Sequence, residues 1–289
     1  MLEDRPRDLL VAGHVNVDRR LALEEFPGPD RTVPTAAAAP ELGGTATNLA
    51  RVAAAHGLRV GLFARVGDGF PSEFLHRIDR AGIDLRGVRT VRKVPTPTCF
   101  ILEDRRGHQR TLIDQGAMAD GTDAPISARW LREYAWVHIG TGPPEIQLRL
   151  AARARAEGLR VAADPAQEIF YRWSPSTFGR LLACAEILFG NRAEIARAVE
   201  LTGCRTFERI TDLVPAVVRT EGHEGATLLS RAGRIHVPAG RRRSAGSFVG
   251  AGDAFRGGFY AAFLRGEAPS ATLRAGHRAA ARWIAGHRP

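Results

Sequence analysis

Gly250-Ala251-Gly252-Asp253-Ala254-Phe255 sets one carboxylate where a glycine-rich turn passes into a helix, an arrangement suited to phosphoryl transfer. The two glycines let a ligand approach the backbone closely. The first N–H groups of the following helix, Ala254-Phe255-Arg256-Gly257-Gly258-Phe259, have no intrahelical acceptor and attract anions. An Asp beside such an anion hole can take a hydroxyl proton. Taken alone, the same residues describe an Asp that caps a helix after a flexible turn, and a short glycine motif is more often that.

The elements able to position this carboxylate follow an α/β rhythm. Asp8-Leu9-Leu10-Val11-Ala12-Gly13 reads as a buried strand, Leu49 to Gly57 as a helix stopped by glycine, and Arg59 to Ala64 as the next strand. Pro71 to Ala81 reads as another helix. The alternation continues through strands at Tyr134 to Ile139, Val161 to Asp164, Ile187 to Gly190 and Ala216 to Arg219. Between them fall helices at Glu145 to Glu157 and Ala193 to Leu201. A hairpin at Ala226 to Ser230 and Arg234 to Val237 comes next, and helices at Ala254 to Arg265 and Pro269 to Ala285 finish the chain. The pattern predicts a doubly wound, mostly parallel sheet with helices on both faces, residues 1–289 forming a single domain. Two stretches, about 15–42 and 94–115, alternate like strands without an intervening helix and predict a small β-sheet lid, which would exclude water from a reaction.

Composition narrows the chemistry. The 289 residues are 44% hydrophobic, enough for a sizeable core, and no apolar run reaches the length of a membrane span. The N-terminus lacks the apolar stretch of a signal peptide, so the expected location is the cytoplasm, with no membrane partner. Cys99, Cys184 and Cys204 are too few and too scattered for a disulfide framework or a zinc site. The formal charge of +10 is dispersed, with one dense run at Arg241-Arg242-Arg243, which speaks against a nucleic-acid partner. Lys93 is the only lysine, and Val94-Pro95 after it excludes both a Walker A loop and the strand lysine of protein kinases.

Ligands of open α/β sheets bind at the carboxyl ends of strands. The polar residues there are Asn16 with Asp18, the turn Gly43-Gly44-Thr45-Ala46-Thr47-Asn48, Asn191-Arg192-Ala193-Glu194, Thr220-Glu221-Gly222-His223-Glu224-Gly225, and the turn at Gly250 to Asp253. In this order and spacing the chain resembles the ribokinase-like carbohydrate and nucleoside kinases, the PfkB family, over nearly its whole length. The resemblance implies an ATP- and Mg2+-dependent phosphotransferase with an alcohol group as acceptor. Asp253 would be the general base, with the backbone of Gly250, Ala251, Gly252 and Asp253 as anion hole and the helix N-terminus keeping the carboxylate ionised. Asn16, Asp18, Gly43, Gly44 and Asn48 would bind acceptor hydroxyls. Asn191, Thr220, Gly222 and Gly225 would bind the nucleotide, and Glu194 with Asn191 would hold magnesium through water. Asn191 and Glu194 also have the spacing of a plain capping box, and Thr220 to Gly225 that of a plain turn.

The sequence departs from the family at Ser247, where relatives have an Asp that helps bind a monovalent cation. A neutral hydroxyl there argues against potassium activation, with Arg243 or Arg256 able to supply the missing charge. His14, His138 and His277 have no Ser or Cys in a nucleophile context and read as structural or peripheral. Three readings compete: a kinase of a sugar or sugar-like alcohol; a nucleoside kinase, suggested by Gly13-His14 and by Phe26-Pro27-Gly28-Pro29; and a nucleotide-binding regulator without turnover, suggested by Ser247. A homodimer through the lid sheets would cover their open edges.

Overall fold

The computed structural model describes residues 7–119, 126–240 and 248–289. The strands are β1 (Arg7–Ala12), β2 (Asn16–Leu23), β3 (Ala36–Ala37), β4 (Glu41–Gly43), β5 (Val60–Asp68), β6 (Asp84–Pro95) and β7 (Thr98–Asp104). They continue with β8 (Gln109–Asp114), β9 (Tyr134–Ile139), β10 (Arg160–Ala163), β11 (Ile187–Asn191), β12 (Ala216–Thr220), β13 (Ala226–Ser230) and β14 (Gly233–Val237). The helices are α1 (Thr45–Ala55), α2 (Ser72–Arg80), α3 (Ala128–Leu131), α4 (Pro144–Ala156), α5 (Pro175–Cys184), α6 (Arg192–Thr202), α7 (Ala251–Phe263) and α8 (Pro269–Ile284).

Leu9, Leu10, Val11 and Ala12 of β1 are all buried, because β1 is central and covered on both faces. Leu9 and Val11 pack in one layer with Leu49 of α1, Ile78 of α2, Phe259 of α7 and Leu273 of α8. Leu10 and Ala12 pack in the other with Leu150 of α4, Phe178 of α5 and Ile195 of α6. The nine-stranded sheet runs β14-β13-β12-β11-β10-β9-β1-β5-β6. Pairing is parallel from β6 through β12, and β13 and β14 add an antiparallel edge. This is the expected doubly wound architecture. The strand order reverses at β1 and β9, and a crevice opens at their carboxyl ends.

A separate five-stranded sheet has the order β3-β2-β7-β8, with β4 paired to β2. β1 leads into β2 through Gly13-His14-Val15, so Asn16 and Asp18 begin the small sheet beside the end of the large one. Antiparallel pairing sets Asn16 opposite Gly43 and Asp18 opposite Glu41, which brings the second candidate motif beside the first.

Candidate active site

Gly250 precedes α7 in the left-handed conformation, with φ 80°, and a Cβ there would stand 2.7 Å from the Trp283 ring. Only glycine makes this turn without strain. Helix α7 begins at Ala251 rather than at Ala254 as the sequence suggested, so Asp253 lies within its first turn. The hole also differs in its donors. The N–H of Ala251 donates to the Phe248 carbonyl at 3.0 Å, leaving those of Gly252 and Asp253 without acceptors among the described residues. Helix α7 lies close against α1, where a Cβ at Gly257 would be 2.7 Å from Val52 Cγ1. That contact holds Asn48 against Asp253, and its Nδ2 donates to Asp253 Oδ2 at 3.0 Å.

The Asp253 carboxyl is pushed up to about 7, first by burial and further by the charges of Asp164 and Glu194; Arg256 and the Asn48 hydrogen bond act the other way. Desolvation thus works against the helix N-terminus that was expected to keep it ionised. Beneath the turn, Arg256 brings Nη1 to 2.8 Å from where a Cβ on Gly252 would lie. Its Nη2 donates to Asp164 Oδ1 at 2.9 Å, and its Nε faces Asp164 Oδ2. Burial disfavours both charges, yet Arg256 and His138 hold the Asp164 carboxyl below its ordinary range, and the carboxylates hold Arg256 charged. His138 reaches Asp164 Oδ2 at 3.3 Å through Nε2 and the Tyr260 hydroxyl at 3.0 Å through Nδ1.

Thr45, Leu49, His138, Asp164, Ala166 and Asp253 line a narrow chamber at the strand ends. His138 is therefore not peripheral, and Asp164, absent from the sequence-based site, stands with it. The signal for Asp164 was its position directly after the strand, obscured by the Pro165 that follows. His14 keeps its structural character, its ring between Thr141 Oγ1 and Gln115 Oε1 at 2.6 Å each.

The acceptor-side residues come together. Asn16 and Asp18 are buried, and Asn16 Nδ2 donates to Asp18 Oδ1 at 2.5 Å. The Asp18 carboxylate fills the space that a Cβ on Gly43 would need, and the His14 carbonyl fills that of a Cβ on Gly44. Burial raises the Asp18 carboxyl to about 6, against the pull of Arg20 and Asn16. A cavity of about 300 Å³ has Asp18 and Asn48 in its wall together with Glu41, Arg51, Arg77 and Arg288. Those last three arginines carry no sequence signal, since they come from α1, α2 and the segment after α8 and none follows a strand.

Asn191 and Glu194 form a reciprocal capping box on α6: Glu194 N–H donates to Asn191 Oδ1 at 2.9 Å, and Asn191 N–H to Glu194 Oε2 at 2.7 Å. Glu194 Oε1 accepts from Gln167 Nε2 at 2.9 Å. Burial raises the Glu194 carboxyl, against the charge of Arg256. Thr220 closes β12, and Gly222 follows at φ 60° with open space where its Cβ would be. At Gly225, φ 121°, a Cβ would strike the Val237 carbonyl. Glu221, between them, binds Arg219 at 2.8 Å and Thr227 at 2.9 Å and fixes the loop to its sheet. Among the described residues no three His, Cys, Asp or Glu side chains converge as metal ligands. Ser247 and Arg243 lie outside the described residues.

Residues 6–287 match the model of the pfkB family carbohydrate kinases. The chain belongs to this family. It is 34% identical over 273 residues to a nucleoside kinase of Methanothermobacter thermautotrophicus, covering 92% of this chain and 85% of that one. It is 31% identical over 263 residues to an ATP-dependent ribose-1-phosphate kinase of Halopiger xanaduensis, covering 89% and 84%. The crystal structure of Methanocaldococcus jannaschii nucleoside kinase, a member of the ribokinase family, superposes with a TM-score of 0.88 at 24% identity, covering 97% of this chain and 92% of that one. As a PfkB kinase the protein is an ATP-dependent phosphotransferase with a hydroxyl acceptor. Among the described residues no helix is long and apolar enough to cross a membrane.

Proposed function

We propose that the protein phosphorylates a hydroxyl of a sugar or nucleoside with Asp253 as general base. The observation that carries this reading is Asn48, which holds Asp253 at 3.0 Å while lining the same cavity as Asp18. One amide thus ties a proton acceptor to a carboxylate suited to vicinal hydroxyls. In the proposed reaction the acceptor oxygen attacks the γ-phosphorus of ATP, its proton passes to Asp253, and ADP leaves. A carboxyl poised near neutrality suits that transfer. Charge on the transferring oxygens meets the N–H groups of Gly252 and Asp253, with Arg256 behind them.

ATP is proposed to lie along Asn191, Thr220, Gly222 and Gly225. Magnesium would be held by Glu194 and Asn191 through water, and would supply charge neutralisation to the phosphates. Asn191 Oδ1 and Glu194 Oε2 are engaged by the capping box, so direct ligation would break the start of α6. Glu194 Oε1 has acceptor capacity left for a bound water, which fits contact through water. The open edge of β8, with Leu112 60% exposed, supports a homodimer through the small sheets; sedimentation of a Leu112→Arg variant tests it, and an unchanged mass would refute that interface.

The deciding experiment is ADP release from magnesium ATP with a panel of sugars and nucleosides, repeated with Asp253→Asn. Turnover that depends on one acceptor and disappears in the variant supports the reading. ATP binding without ADP release from any acceptor fits the regulator instead.

A further inference from the structure

The cavity next to Asn48 carries more positive charge than a neutral acceptor needs. Arg20, Arg51, Arg77 and Arg288 line it against two carboxylates, Asp18 and Glu41. Glu41 serves both Arg20, at 3.3 Å, and Arg288, at 3.5 Å. Asp18 is engaged by Asn16. Arg51 and Arg77 are left without a carboxylate among the described residues.

Arg51 is the informative member. It lies on α1 one turn beyond Asn48 and is only 8% exposed. A guanidinium cannot shed its charge in a protein, so burying one unpaired is unfavourable unless a ligand supplies the counter-charge. Burial and the like charges of Arg77 and Arg288 lower it to about 10, which marks a cation under repulsion. Arg77, exposed at the rim, and Arg288, stacked 5.1 Å over the Trp283 ring, face the same space. Converging planar guanidiniums match the oxygens of a phosphomonoester, to which each can donate two hydrogen bonds.

We propose that the acceptor is a sugar that already carries a phosphate, its phosphomonoester held by Arg51 and Arg77 with Arg288, at the end away from the hydroxyl offered to Asp253. The proposal rests on the kinase reading above. Asn48 stands at the boundary between the two ends, touching Asp253 and lining the arginine cavity. In the step, the free hydroxyl oxygen bonds to the γ-phosphorus, the bond from that phosphorus to the β,γ-bridging oxygen breaks, ADP leaves, and the proton goes to Asp253. The product is a sugar bisphosphate. The resident phosphate takes no part in the chemistry.

The test compares kcat/KM for ribose 1-phosphate and ribose 5-phosphate with those for ribose, inosine and cytidine, in the wild type and in Arg51→Gln and Arg77→Gln variants. A phosphorylated sugar should be preferred by about 100-fold, and Arg51→Gln should reduce that preference roughly tenfold or more through KM. Arg77→Gln, at an exposed position, gives the same test should Arg51→Gln fail to fold. Calorimetric binding of the two sugar phosphates without ATP separates this proposal from the kinase reading: binding weakened by either variant supports it even if no turnover is seen. Preference for a neutral acceptor, or no binding of either sugar phosphate, overturns it.

Discussion

Asn48 Nδ2 donates a 3.0 Å hydrogen bond to Oδ2 of Asp253 across 205 positions of sequence, and this one contact joins the two glycine motifs. It also tunes the carboxyl, because it favours the charged form while burial opposes it. Protonated Asp253 cannot accept the hydroxyl proton, so log kcat/KM should rise with pH and level off above an apparent pKa near 7. Asn48→Leu removes a stabiliser of the anion and should move that limb to higher pH. A profile unchanged in position would mean that Asp253 is not the titrating group.

Asp253→Asn should lower kcat by about 10³-fold while leaving ATP binding in place. The same change should affect stability in a pH-dependent direction. The folded-state pKa is raised, so the folded protein holds a proton that the unfolded chain gives up between about 3.8 and 7, and stability falls as pH rises through that window. Asparagine removes the cost of ionisation. The variant should melt about 3 °C above the wild type at pH 8 and lose this advantage by pH 4, as read by calorimetry.

Arg256 and Asp164 form a buried pair beneath the Gly250 to Asp253 turn, and breaking it from one side leaves an uncompensated charge. Arg256→Gln should cost about 3–5 kcal/mol in urea denaturation. Adding Asp164→Asn should recover part of that loss, since the stranded carboxylate is then gone. With Arg256 supplying positive charge beneath Gly252, turnover should be unchanged on adding potassium; a large activation would show that the guanidinium does not replace the ion.

Gly43→Ala tests the acceptor side. Its methyl group would occupy the place of the Asp18 carboxylate and force it off Asn16. Acceptor KM should rise about tenfold or more while ATP KM changes little, because the loop proposed to hold the nucleotide, Thr220 to Gly225, belongs to the other sheet. A parallel rise in both constants would indicate a general disturbance instead.

The sheet, its helical layers and the facing of the glycine motifs were legible because buried strands write themselves as apolar runs, as in Leu9 to Ala12. Strand β6 escaped because it is an edge strand, studded with Arg86, Arg89, Arg92 and Lys93 and without alternation. Helix α5 escaped although Ser174-Pro175 with Thr177 spells a capping box that the structure contains. Asp18, Glu194 and Asp253 were visible as candidates; the raised carboxyl of Asp253 was not, since it comes first from burial and then from Asp164 and Glu194 arriving from elsewhere in the chain. Arg51, Arg77 and Arg288 were invisible for the same reason, being neighbours only once α1, α2 and the segment after α8 have packed.

The separation of Asn48 from Asp253 also sets a schedule for synthesis. Everything from the first motif through β14 precedes α7 in the chain, so Asn48 leaves the ribosome 205 residues ahead of the carboxylate it holds. The cavity wall is finished later still, since Trp283 and Arg288 line it, so neither the acceptor pocket nor the carboxylate opposite it is complete until α7 and α8 are in place and Val52 of α1 has received Gly257.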